Sequence, residues 1–377
     1  MKQRRVFAFA AVLSALALVA AACSNNTGGG ASGSASASLI GTGHKVCFVA
    51  DTGGVDDHSF NQQIYEGLQQ STKDLGTTLN YVTSKSASDY APFIQNYVNQ
   101  GDCDLIVLAG FNMGDALVTS AKANPTQKYA IVDYDIFDFT TTPPTDLTFP
   151  NVSEITFQTD QAAFLAGYLA AGMTKTGVVA TYGGVFFPTV TIFMNGFAAG
   201  IRKYNKDNGT TVKLLGWNPE TQKGVQVSTD SSVAFTSPAD GRRIAEDFIS
   251  ENADIILPVA GGTGVGTMAA AQDAGNVNGI WVDTDGCVAA AQYCSLFLTT
   301  VEKHMNVAVE QTLKDVLTGT FKGGLYVGTL KNDGVGISDY HDFASTIPQA
   351  LQDQITQLKQ GIIDGSVSVN PADYPVG

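Results

Sequence analysis

Charge is scarce in this chain and basic charge scarcest: 15% of 377 residues are Asp, Glu, Lys or Arg, with 21 basic against 35 acidic and a net charge of −14. That balance repels phosphate backbones and anionic head groups, so a nucleic-acid partner is excluded on electrostatic grounds. Histidine is rarer still, with four in the chain, and no zinc-helix motif or nucleophile elbow accompanies them. The glycine-rich stretch 261–266 has neither G-x-G-x-x-G spacing nor a Walker lysine. Hydrolase, P-loop and dinucleotide chemistry thus lack a foothold, so no enzyme activity, cofactor or resident metal is expected. Beyond residue 22 no apolar run reaches the roughly 18 residues that a spanning helix needs.

The first 22 residues are different. Lys2, Arg4 and Arg5 precede FAFAAVLSALALVAAA, and small residues lead into Cys23. This reads as an export signal. Its form resembles a lipoprotein leader (1–22), after which Cys23 is acylated and becomes the new N-terminus; a plain secretory peptide is the alternative. Residues 23–43, rich in Ser, Gly and Ala, read as a flexible tether. The expected location is the outer face of the cell membrane, held by lipid. Cys47, Cys103, Cys287 and Cys294 then lie in an oxidising compartment as an even set, and the pairs Cys47–Cys103 and Cys287–Cys294 are expected among three connectivities.

From residue 45 short apolar runs (KVCFVAD, CDLIVLAG, KYAIVDYD, GVVATYGG, DIILPVAG, GIWVDTD) alternate with amphipathic stretches of helical period. Runs apolar on both faces are the mark of parallel strands covered by helices, so an α/β fold of two doubly wound lobes is predicted. The proline-rich segment 140–151 is expected to carry the chain between lobes. The predicted division is 44–150 plus about 300–325 for one lobe and 151–299 plus about 326–377 for the other, with a three-crossover hinge. Ligands of such sheets bind at the carboxyl ends of strands. Loop 51–61 is the richest of these, with Asp56, Asp57 and Ser59 as helix caps or, with His58, a metal site, and Phe60 as a core plug or an aromatic platform.

Taken together, VADTGGVDDHSFNQQIYEGL, YAIVDYD, VSEITFQTDQAAFLAGYLAA, YGGVFFPTVTIFMNGFAAG, VAGGTGVGTMAAAQDAG, VDTDG and LTTVEKHMNVAV resemble, in order, the basic membrane protein family of lipoproteins, also called purine nucleoside receptor A-like. The resemblance covers about residues 45–340. It implies a type I periplasmic-binding-protein fold, a monomer that captures a small molecule, most often a purine nucleoside, and ABC permease subunits as partners. A secreted enzyme acting on nucleosides or sugars, and a ligand sensor, are the other readings. By the same resemblance Asp51 and Asp133 read the base, Phe60 stacks on it, Asn61 is a further ligand-binding residue, and Asp283 or Asp285 with Lys303 and Gly262 hold the ribose. Leu257 and Pro258 stand where a second stacking aromatic is expected, so either Phe186, Phe187, Trp217 or Phe235 substitutes or the ligand is not a purine.

Overall fold

The computed structural model describes residues 38–138 and 140–375, so the leader, Cys23 and most of the tether lie outside the described residues. In chain order the first elements are β1 (Lys45–Ala50), α1 (Phe60–Leu75), β2 (Thr78–Thr83), α2 (Tyr90–Gln100), β3 (Leu105–Ala109), α3 (Gly114–Ala123), β4 (Tyr129–Val132), a hairpin of β5 (Phe137–Asp138) and β6 (Thr145–Asp146), and β7 (Val152–Phe157). The next are α4 (Thr159–Met173), β8 (Val178–Gly183), α5 (Pro188–Asn208), β9 (Lys213–Leu215), a hairpin of β10 (Trp217–Asn218) and β11 (Lys223–Gly224), α6 (Ser231–Ala234), α7 (Pro238–Ser250), β12 (Ile255–Val259), α8 (Gly264–Ala274), β13 (Asn278–Asp283), α9 (Gly286–Ala289) and β14 (Phe297–Lys303). The last are α10 (Met305–Thr318), β15 (Gly324–Gly328), β16 (Val335–Ile337) and α11 (Gln349–Asp364).

Two six-stranded sheets result, in the orders β15-β7-β4-β3-β1-β2 and β16-β14-β13-β12-β8-β9. All pairings are parallel except β14 with β16. Strands β3, β4 and β12 are buried at every position, because helices cover both faces of each sheet. The chain passes between sheets three times: after Phe157, after Lys303, and between Gly328 and Val335.

The position of the first crossing corrects the sequence reading. Residues 140–151 do not cross: β6 folds back on β5, and Val152 then pairs with Tyr129 in the first sheet. Proline breaks a helical rhythm whether or not the chain changes lobe. An apolar strand beside β4 satisfies that strand's open edge, so the lobe ends after Phe157 rather than at residue 150. Likewise β14 runs through Lys303 before the chain returns, so the second lobe extends past residue 299.

Both expected disulfides are present. Cys47–Cys103 ties β1 to the residues preceding β3, and Cys287–Cys294 closes the loop between β13 and β14. No helix among the described residues is long and apolar enough to cross a membrane.

Helices α4 and α5 form the spine of the second lobe and touch through glycines. A Cβ at Gly200 would stand 2.0 Å from the Phe164 carbonyl oxygen, at Gly167 2.2 Å from that of Phe197, and at Gly196 2.3 Å from that of Asp160. Alanine in a helix interior normally gains up to about 1 kcal/mol over glycine. Here the contact reverses that sign: Gly200→Ala is expected to lose about 1–3 kcal/mol through overpacking, measured by urea denaturation. A variant at least as stable as the parent would show that the helices do not meet this closely.

Glu154 on β7 is 1% exposed. One carboxylate oxygen accepts the Ile136 N–H at 2.8 Å and the other has no partner. Burial, reinforced by Asp135 and Asp146, pushes its carboxyl up to about 7 from 4.5. The folded state therefore keeps a proton that the unfolded chain releases, and stability falls as pH rises from about 4.5 to about 7. Glu154→Gln should flatten that part of the stability–pH profile in denaturation series; an unchanged slope would contradict the assignment.

Candidate functional site

Four strands of the two sheets end at one cleft. Asp51 follows β1, Asp133 follows β4, Asp283 ends β13 and Lys303 ends β14. Asp133 and Asp283 both have left-handed backbone, with φ of 64° and 71°. That conformation disfavours side chains other than Gly, Asn and Asp, and here it occurs at equivalent strand ends of the two lobes.

Lys303 joins the lobes. Its Nζ lies 2.5 Å from Asp133 Oδ2 in the first lobe and 3.1 Å from Asp283 Oδ1 in the second, and Lys303 is 2% exposed. Burial alone lowers an ammonium pKa; the two carboxylates outweigh it and hold Lys303 above its ordinary range. Burial pushes the Asp133 carboxyl upward against the pull of Lys303. The same Nζ sits 5.2 Å from the centre of the Phe60 ring and 5.0 Å from that of Phe193, within cation–π range. Asp283 Oδ1 makes an ion pair but no hydrogen bond, so it retains acceptor capacity.

Loop 51–61 is built by its own side chains. Asp57 accepts the N–H groups of Ser59 (3.0 Å), Asn61 (2.9 Å) and Gln62 (3.0 Å) and the amide of Asn61 (2.9 Å), so it caps α1 and starts that helix at Phe60. The metal alternative gives way to this cap. Asn61 Oδ1 in turn accepts the Asp51 N–H at 2.8 Å. Asp51 takes the Tyr90 hydroxyl on one oxygen and Asn112 Nδ2 (2.9 Å) on the other. Burial and the adjacent Asp51 raise the Tyr90 phenol, which stays protonated as the donor. The Thr52 N–H also donates to the oxygen that takes Tyr90 (2.7 Å), so the Asp51 carboxylate is fixed, with acceptor capacity left on the oxygen that takes Asn112.

The cleft is lined by Asp51, Phe60, Asn61, Asp133, Asp283 and Lys303 of the expected set, together with Phe111, Phe193, Phe235 and Gly261. The space there open to the centre of a water-sized sphere is ≈ 80 Å³, room for a few waters with the lobes this close together. Two expected residues stand elsewhere. Asp285 caps α9 through the Cys287 N–H (3.0 Å) and pairs with His341 Nε2 (2.8 Å), because the turn after Asp283 directs it away from the cleft. Gly262 faces the backbone of Phe235 and Asp57, and its neighbour Gly261 lines the cleft instead.

Of the four candidate second aromatics only Phe235 reaches the cleft. Phe187 stacks on Phe111 of the other lobe (3.9 Å, 12°), and Phe186 packs against Trp217. Phe193 was legible only as one apolar residue among several on α5; no spacing marks it as cleft-facing. Among the described residues two groups could bring metal-ligand atoms together, Cys47 with Asp102 and Cys103, and Asp285 with Cys287 and His341. In both the cysteines are committed to disulfides.

Residues 44–373 match the family described as ABC transporter substrate-binding protein PnrA-like. The chain belongs to this family. It is 30% identical to the ABC transporter nucleoside-binding protein BmpA of Lactococcus lactis over 97% of this chain and 99% of that one. It is 29% identical to a lipoprotein of Pyrococcus horikoshii over 78% of this chain and 69% of that one. Among solved structures, an ABC transporter solute-binding protein from Aeropyrum pernix superposes with a TM-score of 0.73 at 25% identity, covering 86% of this chain and 92% of that one. In this PnrA-like chain the candidate cleft lies where the strand ends of both sheets converge.

In this PnrA-like protein Lys303→Met would leave Asp133 and Asp283 buried without a counter-charge. Removing one partner of such a pair costs roughly 3–5 kcal/mol. With Asp133 raised by burial, its carboxyl binds a proton more readily in the folded than in the unfolded chain, so the deficit should deepen as pH rises above the carboxylate range. Denaturation at pH 5 and pH 8 checks both statements; equal stability of variant and parent at pH 8 would contradict them.

Proposed function

We propose that this chain is a lipid-anchored, extracytoplasmic receptor that captures a nucleoside, a purine nucleoside above all, between its lobes and hands it unmodified to an ABC permease. Acylation of Cys23 supplies the anchor, and the receptor acts as a monomer. The observation that carries this reading is the pairing in one cleft of aromatic faces with fixed acidic edges. Phe60 and Phe235 come from opposite lobes, Asp51 and Asp133 offer acceptors, and Asp283 with Lys303 offers an acceptor and a donor together.

The chemistry of a purine nucleoside suits such a site. Its flat ring gains about 0.5–1.5 kcal/mol from aromatic stacking beyond the area it buries. Ring N–H groups need acceptors held in place, which the Tyr90, Asn112 and Asn61 bonds around Asp51 provide. A ribose diol donates to carboxylate and accepts from ammonium, matching Asp283 and Lys303. The nucleoside-binding relative in Lactococcus points the same way.

Calorimetry with inosine, guanosine, adenosine, uridine and ribose tests the proposal. A purine nucleoside is expected to bind and to be recovered intact by mass spectrometry. Phe60→Ala should weaken it at least about tenfold, since stacking and buried ring area together exceed 1.4 kcal/mol. Asp285→Ala should weaken it less than Phe60→Ala, because its carboxylate faces His341 and not the ligand. No binding of any nucleoside, or release of free base, would overturn the proposal.

A further inference from the structure

We propose that His58 and Ser59 form a clasp with the disulfide-closed segment Cys287–Cys294, and that this clasp, rather than the cleft contacts alone, sets how long a ligand stays between the lobes. Three donor groups bridge loop 51–61 of the first lobe and the end of β13 with the segment after it in the second. The His58 ring donates from Nδ1 to the Ala289 carbonyl at 2.5 Å. The Trp281 indole donates to the His58 carbonyl at 2.9 Å. The Ser59 hydroxyl donates to Asp283 Oδ2 at 2.5 Å.

None of His58, Ser59, Trp281 and Ala289 lines the cleft, so the His58–Ala289 and Trp281–His58 bonds report closure and not ligand identity, whereas the Ser59 bond ends on a cleft residue, Asp283. Their position gives them leverage. His58 adopts left-handed backbone (φ 59°), and the residue after Ser59 is Phe60, the first residue of α1 and a wall of the cleft. Asp283 is at once the acceptor for Ser59 and an ion-pair partner of Lys303. A ligand held by Phe60 and Asp283 therefore leaves only when the clasp lets the lobes part.

The acceptor side depends on the disulfide. Ala289 ends a four-residue helix, α9, too short to hold itself by its own hydrogen bonds. It is bounded by Cys287 and Cys294, whose bond closes the loop, while Asp285 caps its first turn. Ala289 is buried although Val288 beside it is 67% exposed, so the stapled loop presents one carbonyl inward to His58 and its remaining face to solvent. His58 is a positioning residue in this arrangement, and the disulfide keeps its partner in register.

The test uses the whole exported chain and four changes: His58→Gly, which removes the ring while suiting the backbone; Cys287→Ser with Cys294→Ser; the two combined; and His58→Asn, which restores a side-chain donor and tolerates the same backbone. Dissociation of bound inosine, chased with excess guanosine in a stopped-flow instrument, is one readout. Exchange of the Trp281 indole proton in ligand-free protein is the other, and it works even if no nucleoside binds, so failure of the clasp and failure of the nucleoside reading are distinguishable. Expected are a rise of about tenfold in dissociation with association within about threefold, since interface changes act mostly on the off-rate. Indole exchange should speed up in parallel. The combined variant should be no faster than either alone, because both remove the same contact, and His58→Asn should recover part of the effect. Additive effects of the two changes, or unaltered indole exchange, would overturn the clasp. So would an equal rise in dissociation in a Cys47→Ser with Cys103→Ser variant, which weakens the first lobe away from the clasp.

Discussion

One buried ammonium group organises this molecule. Lys303 ends the last long strand of the second sheet, where the chain is about to return to the first lobe, and its charge is shared between Asp133 of one lobe and Asp283 of the other. Taking three charged groups out of water is expensive, and the arrangement is tolerable only because each has an opposite charge within a few ångström. It follows that the lobes cannot be described as independent halves joined by linkers. Their approach is conditioned on a charge that belongs to both.

The same constraint explains the polarity of the cleft. Its walls are rings, Phe60, Phe193 and Phe235, and its floor is a line of carboxylates around one cation. Rings around the ammonium lower the dielectric and add cation–π attraction, which strengthens the ion pairs. The acids that remain open as acceptors are held rigid by neutral donors such as Tyr90 and Asn112. On the proposed function, a site so built would select ligands by where their donors fall, at little cost in reorganisation on binding.

Much of this was legible in the sequence because parallel strands leave a strong trace. Runs such as LIVLA and IILPV are apolar on both faces, and an acid that closes such a run sits at a strand end; the family resemblance singled out Asp51, Asp133 and Asp283, and their place at the ends of apolar runs agrees with it. The lobe boundary was misread because prolines at 143, 144 and 150 signal interruption without direction, and only the pairing of Val152 with Tyr129 shows that the chain stays in its sheet. Asp285 and Gly262 were misplaced for a related reason. One or two residues beyond a strand end, a tight turn decides which way a side chain faces, and composition carries no record of it. Phe193 and Phe111 have the spacing of ordinary core residues, so nothing local distinguishes a ring that faces a cleft from one that faces the interior.

The bridging role of Lys303 is best tested by the separation of the lobes themselves. Spin labels on the exposed Gln95 of α2 and Gln272 of α8 allow interlobe distances to be measured by pulsed electron resonance in ligand-free protein. In the parent chain a closed population is expected, and Lys303→Met should shift the distribution to longer distances. Identical distributions in the two proteins would contradict the central claim.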